Sequence, residues 1–410
     1  MAGSPVARMP VSAIQFLKLR GKIHRRFNAA FLALTLCFPG WVRGQDHERP
    51  ASVEQPAGAE TQLWRGINAM YSYRFEEAAL AFDSTMALDP AHAVAPFVAV
   101  ANRWLRSLTE EGAAASHVAL LGSIEATIPR YQALLKADPD SPELLLYLGS
   151  TYGLKARVAL SQKRWTTVVT SGLRGWRLVN RAHEADTSMA DAYLPIGLFD
   201  YYTGSGSAPV RFMARLFGMH PDKQRGIAEL TKAANEAPHA WIEAASTLAI
   251  LLAYIEDQQL NALAHADLLV GEFPDNFYFN FLRGDILVRS GQLAAVRQFL
   301  PRLEELLEVA HPNQYLEWQL KYSTIVALLD YQQGDLARAR KMCDWVISNY
   351  AMEFDWHLGM ALYTRGQINE MEGHPEAART DYLAALRLDN QTYIMPLTRE
   401  AHNRLSQVGK

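Results

Sequence analysis

Cysteine is almost missing from this chain: 410 residues hold only Cys37 and Cys343. If an N-terminal segment through Gly44 is removed, Cys343 stands alone and no intrachain disulfide can form. Catalytic signatures are missing as well. There is no His-Glu-x-x-His pair to hold zinc on one helix face, no Gly-x-Ser-x-Gly elbow and no phosphate-cradling Walker loop. The stretch "TGSGSAP" (203–209) has two glycines but no third and no preceding strand, so it is no dinucleotide fingerprint. Neither a cofactor nor a metal is expected. Adjacent carboxylates occur at Glu76/Glu77, Glu110/Glu111 and Glu304/Glu305. Neighbouring helix positions diverge, so these pairs suit a solvated face better than a shared substrate. No apolar run is long enough to cross a bilayer as a helix, and no alternating strand-like run stands out.

Negative charge is missing from the first 44 residues, which carry seven Lys/Arg and no Asp or Glu. The apolar run "FNAAFLALTLCF" (27–38) follows this basic cluster, and "VRG" (42–44) puts small residues just before Gln45. That order predicts an export signal over 1–44, cleaved near Gly44/Gln45, with an uncleaved anchor as the other reading. The expected location is the periplasm or the cell envelope. The 366 residues after Gly44 hold 33 basic and 43 acidic side chains, about ten net negative charges. With no basic stripe to neutralise phosphates, nucleic-acid binding is not expected. Residues 45–60 are polar, with proline and glycine, and read as a flexible leader.

A repeated ladder carries the architecture. Gly66, Ala78, Phe82 and Pro90 recur three hundred residues later as Gly366, Ala378, Tyr382 and Asn390. Between them Pro139, Thr187 and Pro274 each precede a glycine by ten residues: Gly149, Gly197 and Gly284. Small residues allow two helices to cross closely, aromatic residues fill the surrounding space, and proline turns the chain into the next unit. One such pair cannot bury its own apolar face, so neighbours must stack. The offsets fit a 34-residue unit. From about residue 60 to 390 the chain resembles tetratricopeptide-repeat proteins. The middle, "GLFDYYTGSGSAPVRFMARLFGMHPDKQRGIAELTKAA" with "FPDNFYFNFLRGDILVRSGQLAAV", also resembles the eukaryotic tetratricopeptide family of a mitochondrial outer-membrane inclusion-clearance protein.

The resemblance implies an all-α solenoid over 61–392, an open right-handed superhelix of about eight helix pairs, closed by a capping helix at 393–410. Residues 91–137 lack a clear signature helix, and Gly175 stands where alanine is usual. The resemblance also implies a non-catalytic role binding a protein or peptide, with the first helix of each unit lining the concave side. Registered on the glycines, Tyr71, Tyr201, Tyr202, Tyr278, Phe281 and Tyr363 face inward, either as contact residues of a groove or as core between turns. A secreted α/α-toroid enzyme using an Asp/Glu pair on a glycan is the alternative. Residues 203–221 interrupt one unit, and "VRFMARLFGM" (210–219) forms a short amphipathic helix with Arg211 and Arg215 on its edge. It reads as a peripheral membrane or partner contact, or as a helix folded back on the solenoid.

Overall fold

The computed structural model describes residues 58–388 and 390–408. The expected signal (1–44), Cys37 and most of the leader lie outside these residues. Eighteen α-helices follow one another, and no strand occurs among the described residues. The first three pairs are α1 (Ala59–Tyr71) with α2 (Phe75–Leu88), α3 (Ala95–Glu110) with α4 (Ala113–Ala137), and α5 (Pro142–Ser161) with α6 (Trp165–Ala185). In the fourth, α7 (Tyr193–Ser205) is separated from α9 (Lys223–Glu236) by an inserted helix α8 (Ala208–Leu216). Then come α10 (Trp241–Ile250) with α11 (Gln259–Glu272), α12 (Phe277–Arg289) with α13 (Leu293–Glu308), α14 (Pro312–Gln332) with α15 (Leu336–Asn349), and α16 (Trp356–Met371) with α17 (Pro375–Leu386). A last helix, α18 (Ile394–Val408), caps the stack. This is the tetratricopeptide-type solenoid of eight pairs and a cap.

The helix crossings sit at the expected glycines. A methyl group on Gly149 would lie 2.9 Å from the Gly175 carbonyl, and one on Gly175 would lie 2.8 Å from the Gly149 carbonyl. The glycine found in place of alanine at 175 therefore lets α5 and α6 touch backbone to backbone. Gly197 and Gly226 do the same for α7 and α9. In the first and last units the crossing glycine meets a ring instead: Phe82 Cδ1 would lie 2.6 Å from a methyl on Gly66, and Tyr382 Cδ1 2.8 Å from one on Gly366.

A second repeat is visible only in the backbone. The turn joining the two helices of a unit ends on a left-handed residue: Tyr73, Lys163, Asp257, Gly291, Gly334 and Gly373. The amide of the following residue returns to the carbonyl five positions earlier, as in Arg74 to Ala69 at 2.8 Å and His374 to Asn369 at 2.8 Å, except after Asp257, where Gln258 reaches six positions back to Leu252 at 2.7 Å. This satisfies a helix-end carbonyl in each of these units. Entry into several helices is fixed by side-chain caps, such as Asn276 accepting from the Phe279 amide at 3.0 Å. Residues 91–137, which carry no signature helix, nonetheless form a pair. The Asn102 side chain donates to the Phe75 carbonyl at 2.9 Å, and the Tyr131 hydroxyl to the Ala93 carbonyl at 2.6 Å.

Directly after α10 the chain continues as a π-helical turn, Leu251–Ile255. The Tyr254 carbonyl accepts the Tyr393 amide at 2.9 Å, which ties the start of the capping segment back to the fifth unit. On α18 the polar residues Arg399, Glu400, Asn403 and Arg404 are exposed, and Arg404 pairs with Glu370 at 3.0 Å. Cys343 is a buried core thiol between Ala339 and Val346, and burial pushes it up to about 12.

Candidate functional site

The superhelix is wound tightly enough to bring its first unit against its fifth and sixth. The Tyr71 hydroxyl donates to Glu243 Oε1 at 2.5 Å, and the Asn276 amide donates to the Tyr71 carbonyl at 2.7 Å. The tyrosine ring packs on Phe273 and Phe279, with centroids 5.0 and 5.9 Å away. Every residue of α10 is buried. Over this stretch the concave side holds side chains of the chain itself.

That packing corrects the groove expectation for Tyr71, Tyr201 and Phe281. They are only 4, 1 and 1 per cent exposed. The Tyr201 hydroxyl donates to Glu256 Oε1 at 2.5 Å, and burial pushes its pKa far above the usual phenol value. Phe281 stacks on Trp318 with centroids 5.3 Å apart. The other three are half-buried: Tyr202 edge-on to Tyr201, Tyr278 with the Lys321 ammonium 5.2 Å from its ring, and Tyr363 against Tyr382. Three of the six are therefore core rather than groove lining. The physical reason is that units far apart in sequence meet across the axis, a closure that no single-repeat register contains.

Charged groups inside this axis are paired. Arg289 Nε donates to Asp285 Oδ2 at 2.6 Å, and the guanidinium lies 4.6 Å from the Tyr254 ring. Burial pushes the Asp285 carboxyl up, but the Arg289 charge outweighs it and holds the group below its usual range. Burial drives His357 down to about 4, so it is neutral near pH 7. At the rim His239 forms a clasp. Its ring stacks on Trp64 at 5.4 Å, its Nδ1 lies 3.1 Å from Asp191 and its Nε2 lies 3.3 Å from Glu60. Asp191 also accepts the His239 and Ala240 amides at 2.8 and 2.7 Å. Burial lowers the imidazole pKa, but its hydrogen bonds to Asp191 and Glu60 outweigh that and raise it to about 9. These are structural ties with few free faces.

A carboxyl pair with one fully buried member bears on the enzyme alternative. Asp200 on α7 and Glu229 on α9 are electrostatically coupled, and burial together with the Glu229 charge raises Asp200 to about 7. Arg225 lies between them, 3.2 Å from Asp200 and 2.8 Å from Glu229. Asp200 has no exposed surface. A glycoside hydrolase needs its two carboxyls across a cleft that admits the sugar, and Asp200 presents no surface to one. Among the described residues no group of three or more His, Cys, Asp or Glu could hold a metal ion, and no helix is long and apolar enough to cross a membrane.

The open site is elsewhere, between the second and third units. There α4, α5 and α6 enclose a cleft of about 510 Å³. Its floor is apolar, made by Leu121, Ile128, Val158 and Ala159. Thr167, Thr170 and Ser171 add hydroxyls from α6. Three cations reach the cleft: Lys155, Arg164 and Arg174. Lys155 pairs with Glu125 at 3.4 Å, and the Arg174 guanidinium lies 4.5 Å over the Tyr152 ring. Neither arginine has a carboxylate partner among the described residues, so the cleft carries two unneutralised positive charges. The ring holds Arg174 by cation–π attraction, which leaves its N–H edge free to donate. The glycine-based register pointed to none of the residues lining this cleft, so it could not find the site. The available signal was a cluster of arginine, lysine and threonine between 155 and 174 in a chain with acid in excess.

No protein-family model matches this sequence, and no curated protein matches it. Solved structures similar to the chain include a tetratricopeptide repeat protein from Parabacteroides merdae, at 10% identity and a TM-score of 0.29, covering 85% of this chain and 98% of that one. Another is the P58(IPK) TPR domain, at 13% identity and a TM-score of 0.24, covering 86% of this chain and 99% of that one. The helix pairs, their glycine crossings and the repeated turns make this chain a tetratricopeptide-type α-solenoid.

Proposed function

We propose that this protein is a non-catalytic interaction module of the bacterial cell envelope, which holds an acidic segment of a protein partner in the cleft between α4, α5 and α6. The observation that carries this reading is the pair of unneutralised arginines over an apolar floor. Arginine binds carboxylates through two parallel N–H donors, and a small apolar floor takes one or two side chains beside them. An Asp- or Glu-containing peptide with a neighbouring aliphatic residue meets both demands. Export rests on the basic cluster, the short apolar run and the small residues before Gln45.

The test of the cleft uses a defined probe: fluorescein-labelled peptides that alternate Glu with Leu, and Lys-for-Glu controls, titrated against the chain. Binding of the acidic set alone, weakened at least tenfold by Arg164→Glu with Arg174→Glu, is the expected result. Equal binding by the double variant places recognition elsewhere. Export is checked separately by N-terminal sequencing of protein recovered from the periplasm. An intact Met1 start in the cytoplasm refutes it without touching the cleft.

A further inference from the structure

The inserted helix α8 does not fold its apolar side onto the solenoid. Phe212 and Leu216 are 60 and 63 per cent exposed, and Met213 and Phe217 are exposed beside them. Ala214, on the opposite face, is buried. Spacing of i, i+1, i+4 and i+5 puts the four large side chains on one stripe, turned away from the protein. Arg211 and Arg215 flank that stripe, and Arg211 donates to the Gly206 carbonyl at the base of the helix. Glycine marks both ends of α8: Gly206 before it, and Gly218, with φ at +76°, after it. From Tyr201 through Pro221 the chain has no acidic residue, although the protein after Gly44 carries about ten net negative charges.

We propose that α8 is a membrane-surface anchor that seats this solenoid on an anionic lipid bilayer. Two features select lipid over a folded partner. The stripe is a row of four exposed bulky tips on a helix, and such a surface suits a medium that deforms around it. The two arginines, in a segment free of acid, sit at the edge of the stripe, where phosphate headgroups would lie while the aromatic and aliphatic tips enter the acyl boundary. A nine-residue helix buries little apolar area, so binding is reversible and depends on the lipid charge.

Hydrogen exchange of the full chain, read by mass spectrometry, tests this segment by segment. Bound to vesicles of phosphatidylglycerol and phosphatidylcholine, residues 208–217 should exchange on the order of tenfold more slowly than in solution. Vesicles of phosphatidylcholine alone should give much less slowing. Phe212→Ser with Leu216→Ser should abolish the effect without changing the melting behaviour, because both side chains already face solvent. Arg215→Gln should weaken binding to the anionic vesicles about fivefold. Three results overturn the proposal. One is unchanged exchange at 208–217 on anionic vesicles, including binding that protects only the N-terminal apolar run. The second is equal slowing on both vesicle types. The third is slowing that appears without vesicles as protein concentration rises, which would make α8 a contact between two copies of the chain.

Discussion

Replacing Gly226 by alanine adds one methyl group at the point where α7 and α9 touch. The new carbon would lie 2.7 Å from both the Gly197 carbonyl oxygen and Tyr201 Cα, and closer still to the Tyr201 amide nitrogen. Ordinary contact needs about 3.5 Å or more, so relieving the nearest contact, to the Tyr201 amide nitrogen, requires the two helices to part by about 1 Å. All three neighbours are backbone atoms and cannot rotate away. That places the cost near the upper end for overpacking, about 3 kcal/mol. Alanine is the better helix former by about 1 kcal/mol, which leaves a net loss of about 2 kcal/mol. The same substitution at Gly122, inside α4, meets nothing within 4 Å. There only the propensity gain of about 1 kcal/mol acts. Urea unfolding of the two variants should therefore move the midpoint in opposite directions, with a separation of about 3 kcal/mol. Exchange in α7 and α9 should also speed up in Gly226→Ala alone. Equal midpoints would refute the register that makes Gly197 and Gly226 a helix crossing.

The clasp at His239 gives a pH signature. Its folded pKa is about 9 against about 6.5 for a free imidazole, so its contribution is complete below pH 6.5 and is lost as pH rises toward 9. Glu60 is held below the usual carboxylate range by hydrogen bonds to His239 and His92; its contribution is present above about pH 4.5 and is lost in acid. Melting temperature followed from pH 4 to 10 should thus fall on the alkaline side more steeply in the parent than in His239→Gln; parallel profiles would remove the clasp. Arg289→Met leaves Asp285 buried and uncompensated, and should cost about 3–5 kcal/mol by urea unfolding. Lys163 is exposed at φ +57° in the turn between α5 and α6, so Lys163→Gly should stabilise by about 1 kcal/mol, read as a raised midpoint.

The ladder of small residues, rings and turn-formers determined the helix pairs by itself, because each helix crossing is local. Gly149, Gly197 and Gly284 stand in close helix contacts for a reason visible within one unit: a side chain there has no room. The buried thiol of Cys343 and the polar outer face of the last helix follow from the same local register. The fate of the inward tyrosines does not. Tyr71 meets Glu243, 172 positions away, and Asn276, 205 positions away. Whether such residues face a groove or a core depends on how far the superhelix rotates per unit, a small angle summed over five or six repeats. No pattern within 34 residues carries that sum. Packing between neighbouring units formed the cleft among α4, α5 and α6, which no single-unit register contains. It also decided α8. Its amphipathic spacing was legible in the sequence, but only the packed solenoid shows that the apolar stripe has no surface to cover and stands in water.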